Sequence, residues 1–221
     1  MAEMMRLVVF RQKVLEAAKE AGFEQAEVYT VRADSLRVMA TGGQVADYAV
    51  ADKLGVSLRG IFEGRMGYCS TQALDEEAIA QLIDGVKESA KLCEGEQEES
   101  IYPGDESYAQ VECFVPELEN VTAEEKVALA RALEAAVAGY DPRLKCNMAG
   151  VSSSSDNVAL ENSFGLKLEN RDNMISAFVS VAAREGDKVA SGHAGRAVRD
   201  IKAIDIQELV REAGDEAIAG L

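Results

Sequence analysis

The stretch Leu54 to Ser70 reads LGVSLRGIFEGRMGYCS, and its alternation decides how the rest of the chain is read. Val56, Leu58, Gly60 and Phe62 alternate with Ser57, Arg59 and Ile61, the period-two pattern of a strand with one buried face. Glu63-Gly64 interrupts the run, and Met66, Tyr68 and Ser70 resume the alternation beyond it. A glycine between two such segments supplies the positive φ of a tight hairpin turn. The same arrangement returns between Met174 and Gly192. There Ile175, Ala177, Val179, Val181 and Ala183 alternate, Glu185-Gly186 is read as the turn, and Val189 to Ser191 come back. Gly64 and Gly186 lie 122 residues apart, which predicts one αβ unit used twice.

Working outward, Leu7, Phe10, Val14, Ala17 and Ala21 recur at helical spacing, with Gly22 as the stop. Glu27 to Arg32, Leu36 to Ala40 and Val45 to Val50 read as short strands, the last two joined by Gly42-Gly43. After the hairpin, Asp75 is placed to cap a helix whose buried stripe is Ile79, Leu82, Ile83, Val86 and Ala90, with Leu74 stapling to Ile79. The second unit repeats this order. Thr122 and Glu125 form a capping box ahead of Val127, Ala130, Leu133 and Val137. Strands are predicted at Lys145 to Val151, Asn157 to Glu161 and Leu166 to Glu169, followed by the long hairpin. A last helix, capped by Asp205 with Glu208, presents Ile206, Leu209, Val210, Ala213 and Ala217. The expectation is therefore helix, five strands, helix, twice, with Val56–Phe62 and Ile175–Ala183 as central strands of equivalent sheets. This is an α+β fold of two similar helix–antiparallel sheet–helix units, the sheets mixed or antiparallel, with helices packed on one face. The expected divisions are 1–93 for the first unit, 94–121 for an acidic connector and 122–221 for the second unit. The connector, lacking Lys and Arg from Glu94 to Val121 and broken by Pro103 and Pro116, is read as a solvated, mobile linker. The chain reaches Leu221 still in helix-forming sequence, which is read as a cut rather than a natural end.

Composition excludes several classes of function. Against 23 Lys and Arg stand 39 Asp and Glu, for a net charge of −16. Such a surface repels phosphate backbones and anionic lipid, so neither nucleic acid nor membrane is an expected partner. No apolar run approaches the ~20 residues of a membrane span or forms a signal peptide. Cys69, Cys93, Cys113 and Cys146 are scattered, as reduced thiols of a cytoplasmic protein are. His193 is the only histidine, so no two-histidine metal site can form and no metal ligand is assigned. No catalytic residue is assigned either, because no Cys or Ser sits in a nucleophile signature. Ser152 to Ser155 is read as a solvated turn, with an anion site as the alternative.

The runs GVSLRGIFEGRMGYCST and LDEEAIAQLIDGVKESAKL resemble the N-terminal half of TldD/PmbA proteins, also called modulators of DNA gyrase. AAREGDKVASGHAGRAVRDI resembles the same family's second hairpin, with an EGD-like turn leaning towards the PmbA side. Gly195 and Arg196 match the Gly-Arg pair of that hairpin, a match of structural character in which the Arg caps carbonyls or pairs with a carboxylate. The resemblance implies a cytoplasmic metallopeptidase system acting on unfolded peptides, as a homodimer or a heterodimer with a TldD-like partner. It places zinc only in the C-terminal half of TldD-type members. This chain is then the non-catalytic part, forming cavity wall and dimer contacts, inactive alone and without a cofactor of its own. The alternative is a non-enzymatic peptide-binding or interaction module that offers its sheet edges for strand addition.

Overall fold

The computed structural model describes residues 2–93 and 99–221, with side chains from residue 6 onward. In chain order the elements are α1 (Ala2–Glu20), β1 (Gln25–Thr41), β2 (Gln44–Phe62), β3 (Arg65–Thr71) and α2 (Glu76–Leu92). After a 3-10 turn at Pro116–Asn120 come α3 (Ala123–Tyr140), β4 (Leu144–Asn162), β5 (Lys167–Glu185) and β6 (Lys188–Val198). A second 3-10 turn at Ile201–Ala203 leads to α4 (Ile206–Ala219). The strands form an antiparallel sheet in the order β3-β2-β1-β4-β5-β6, with helices packed against it, so the fold is α+β.

Each predicted pair of short strands is one long strand. Glu27–Arg32 and Leu36–Ala40 are both β1, Val45–Val50 and Val56–Phe62 are both β2, and the calls on either side of Ser152–Asp156 are both β4. The order is therefore helix, three strands, helix, twice. Polar residues such as Asp34-Ser35 and Asp52-Lys53 mimic turn chemistry, but interior strands have neighbours on both sides that accept their backbone groups. There is one sheet rather than two, and β2 and β5 lie next to its ends rather than at its centre.

The chain divides into two compact units that do not follow the sequence boundaries. One comprises residues 1–32, 53–112 and 156–171, and the other 33–52, 113–155 and 172–221. In the first, Leu7, Phe10 and Val14 of α1, Leu82 and Val86 of α2, and Val28, Val56 and Leu58 of the strands form one apolar cluster. In the second, Leu133 and Val137 of α3, Leu209 and Ala213 of α4, and the alternating residues Ile175 to Ala183 of β5 do the same. Val56, Leu58, Val179 and Val181 are fully inaccessible, as the alternation requires. Burying each such side chain stabilises by roughly 1.5–3 kcal/mol.

Local signals explain the boundaries. Gly22 takes φ 86°, and Phe23 N donates to Ala18 O while Gly22 N donates to Lys19 O, a Schellman ending for α1. Asp75 Oδ1 accepts from Ala78 N at 2.8 Å, Thr122 and Glu125 make both arms of the capping box, and Asp205 Oδ1 accepts from Gln207 N and Glu208 N. In the first hairpin Glu63 (φ 53°) and Gly64 (φ 73°) are both left-handed, as a two-residue primed turn requires. The second turn is displaced by one residue from its prediction. Glu185 pairs with Lys188, so Gly186-Asp187 makes the turn.

The two units share one further device. At Gly67 of β3 an added Cβ would lie 2.0 Å from Val86 O of α2, and at Gly192 of β6 it would lie 2.0 Å from Ala213 O of α4. Only glycine lets strand and helix backbones meet this closely. One residue later, Tyr68 N donates to Ser89 Oγ at 3.2 Å and His193 N donates to Glu216 Oε2 at 2.7 Å. In both cases the acceptor lies three residues beyond the crossed carbonyl.

Residues 94–98 of the acidic connector lie outside the described residues. From Glu99 onward the connector is anchored at a few points, while residues 105–112 are exposed. Glu99 accepts from Met66 N at 2.9 Å, Ile101 N donates to Gln25 Oε1 at 2.6 Å, and Tyr102 O accepts from Asn162 Nδ2 at 2.9 Å. Ile101 is buried with Ile61 and Met66. Ile61 pairs with Met66 while Gly60 pairs with Gly67, so Ile101 covers the sheet face away from α2. Farther on, Asn173 binds both backbone groups of Val115 at 2.9 Å, replacing a ladder pair with one amide side chain.

Candidate functional site

Gly195 and Arg196 lie on β6 opposite Phe178 and Ala177. Arg196 Nη2 donates to Glu212 Oε1 of α4 at 2.5 Å and Nη1 to Gly195 O at 3.0 Å, which raises the guanidinium pKa and ties the strand to the helix. His193, three residues earlier, has a side chain 83% exposed, with Nδ1 3.4 Å from Glu216 Oε2. These residues form a surface row along β6 rather than a pocket.

Among the described residues, no three of His, Cys, Asp and Glu converge as a group able to hold an ion. All four cysteines are free thiols, and Cys146 is pushed up to about 11 by burial, with Glu134 adding to the effect. A thiol held that high resists the deprotonation that zinc ligation needs. The described residues do not fit a zinc site.

Convergent polar groups occur elsewhere, around the serine run. Ser152 to Ser155 are not a turn but the middle of β4, and Ser152 Oγ lies 2.8 Å from Ser176 Oγ of β5. Beside them is a cavity of about 190 Å³, walled by Ser153–Ser155, Asp34, Glu119 and Lys126 with apolar residues between. Four elements bring these together: β1 supplies Asp34, β4 the serines, the 3-10 turn Glu119 and the first turn of α3 Lys126. Glu119 Oε1 is held by Asn173 Nδ2 at 2.7 Å. Lys126 is half-buried, and burial lowers its pKa against the raising influence of Glu119 and Glu125. The arrangement is suited to binding: one desolvated ammonium, two carboxylates and a row of hydroxyls. Lys126 was invisible to an apolar periodicity because a lysine stands where the stripe of Ala130, Leu133 and Val137 continues, and the serines were misassigned because their composition is that of a loop.

The geometry defines an α+β protein in which helix, three strands and helix occur twice around one sheet, the second helix of each set seated on a strand glycine. Comparison with known proteins agrees. A model of the PmbA/TldA metallopeptidase domain 1 matches residues 26–90, and one of the PmbA/TldA metallopeptidase central domain matches 116–221. The chain belongs to the PmbA/TldD metallopeptidase family and carries its first and central domains. Among solved structures, a protein described as a modulator of a DNA gyrase from Thermotoga maritima is similar over 96% of this chain, with TM-score 0.84 and 19% identity. TldE from Thermococcus kodakarensis is similar over 95%, with TM-score 0.84 and 16% identity. A protein described as a modulator of DNA gyrase from Bacteroides thetaiotaomicron is similar over 95%, with TM-score 0.82 and 18% identity. At these identities the likeness speaks to the fold. The chain spans 48%, 47% and 48% of those three proteins respectively. No curated protein matches it in sequence. Among the described residues, no helix is long and apolar enough to cross a membrane.

Proposed function

We propose that this chain is the N-terminal, non-catalytic part of a PmbA-like member of a cytoplasmic metallopeptidase system that acts on unfolded peptides. In this reading its units wall the peptide cavity and make the dimer contacts, with a second copy or with a TldD-like partner that carries zinc. The observation that carries the proposal is the consecutive match of the family's first and central domains to residues 26–90 and 116–221. The chain's own residues contribute binding and shape, since the serine-lined cavity offers hydrogen bonds and charge but no nucleophile–base pair. The test mixes the purified chain with a zinc-bearing TldD-type protein and follows cleavage of an unfolded peptide by each alone and by both together. The chain alone is expected to release no fragments and, after dialysis, to hold no stoichiometric zinc, while the mixture forms a complex and cleaves. Cleavage by the chain alone would refute the non-catalytic assignment, and a mixture with no complex and unchanged cleavage would refute the partnership.

A further inference from the structure

Helices α1 and α3 superimpose in sequence at a separation of 119 residues: Phe10 falls on Leu129, Val14 on Leu133, Ala17 on Ala136 and Ala18 on Val137, all apolar and turned to their cores. In that frame the buried Leu7, 1% exposed, falls on Lys126. A position that closes the core in one unit thus carries an ammonium in the other, and the cavity of about 190 Å³ lies beside it. The Lys126 side chain is half-buried, and its desolvation outweighs the attraction of Glu119 and Glu125. A desolvated cation is costly, and an anion entering the cavity would relieve it. A simple anion would meet Glu119, which lines the same space. A ligand carrying its own cation removes that conflict. Leu36, Leu118 and Met174 supply the apolar part of the wall. The volume, below the ~300–1,000 Å³ typical of larger ligands, suits a small molecule.

We propose that this cavity binds a free α-amino acid with an apolar side chain. The ligand carboxylate meets Lys126 and the Ser153 and Ser155 hydroxyls, the ligand ammonium meets Glu119, and the side chain lies against Leu118 and Met174. The assignment concerns the isolated chain and rests on no part of the peptidase reading, so either can fail without the other. The test is calorimetric titration of the 221-residue chain with L-leucine, N-acetyl-L-leucine and L-leucinamide. Leucine should bind saturably, and each blocked form, lacking one charge, should bind at least ~10-fold more weakly. Lys126→Gln should abolish leucine binding with its circular dichroism spectrum intact. Should that variant misfold, Glu119→Gln serves, with the preference expected to move from leucine towards N-acetyl-L-leucine. Absence of saturable leucine binding, or equal binding of the three compounds, would overturn the proposal.

Discussion

At matching places on the first helix of each unit, one unit buries Arg11 and the other Ala130. Arg11 Nε donates to Glu161 Oε1 at 2.7 Å and Nη1 to Thr30 Oγ1 at 3.0 Å, with Lys167 Nζ 3.5 Å from the second Glu161 oxygen. Arg11, Glu27, Thr30, Glu161 and Asn162 are all buried polar residues of the first unit, whereas Asn173 is the one such described residue of the second. Where helix backbone meets strand backbone, by contrast, the units agree in residue type and in distance, at Gly67 and Gly192. Core chemistry differs between the units while the backbone crossing does not. A core position can exchange a leucine for a paired charge if the volume and hydrogen bonds are made good, but no side chain fits a 2.0 Å gap to a carbonyl.

The largest expected effect breaks the comparison from the polar side. Arg11→Ala leaves the buried Glu161 without its hydrogen-bonded partner and with only the exposed Lys167 at 3.5 Å, and should cost about 3–5 kcal/mol in urea unfolding. Arg11→Met with Glu161→Leu converts the site to the apolar character of the second unit and should recover most of that loss. A double variant as unstable as the single one would show that the charges are needed for more than each other.

Gly67→Ala and Gly192→Ala come next, each expected to cost about 1–3 kcal/mol by forcing a helix away from its strand. The comparison predicts similar losses at both. A loss under ~0.5 kcal/mol at one position would show that the two crossings are not equivalent.

A smaller effect is tied to pH. Asp141, just past α3, is held down to about 2, chiefly by the Arg143 side chain and then by its backbone N–H. A carboxylate with a depressed folded-state pKa adds stability above its ordinary value near 4, and that share is lost as pH falls towards 2. The melting temperatures of wild type and Asp141→Asn should therefore differ at pH 6 and converge by pH 2. A constant difference would locate the effect outside titration.

The smallest is a rate. With its thiol raised to about 11, Cys146 should be alkylated by iodoacetamide more slowly at pH 8 than Cys69, Cys93 or Cys113. Peptide mapping after brief exposure would show the order.

Much of the fold was legible in the sequence because it rests on local rules. The capping box at Thr122, the cap at Asp75 and the hairpin at Glu63-Gly64 are each specified within four residues, and the alternation of β5 reads directly as its buried face. The strand lengths were not legible. Ser152–Ser155 and Asp34-Ser35 have the composition of turns, and only neighbouring strands hold them extended. Arg11 and Glu161 stand 150 residues apart, and nothing in either's surroundings names the other. The candidate cavity fared worst, because Lys126 becomes distinctive only when α3 is laid over α1 and the buried counterpart is found to be Leu7.

The capped amides on β3 and β6 bear on how the molecule keeps company at high concentration. These strands end the sheet, and an open end is where a foreign strand takes hold and intermolecular growth begins. Tyr68 N is already occupied by Ser89 and His193 N by Glu216. A peptide or a second copy joining there must first break such a bond, a toll of roughly 1 kcal/mol for each. Ser89→Ala with Glu216→Ala removes both guards, and its first symptom should be seeding in concentrated, aged solutions rather than a lower melting point.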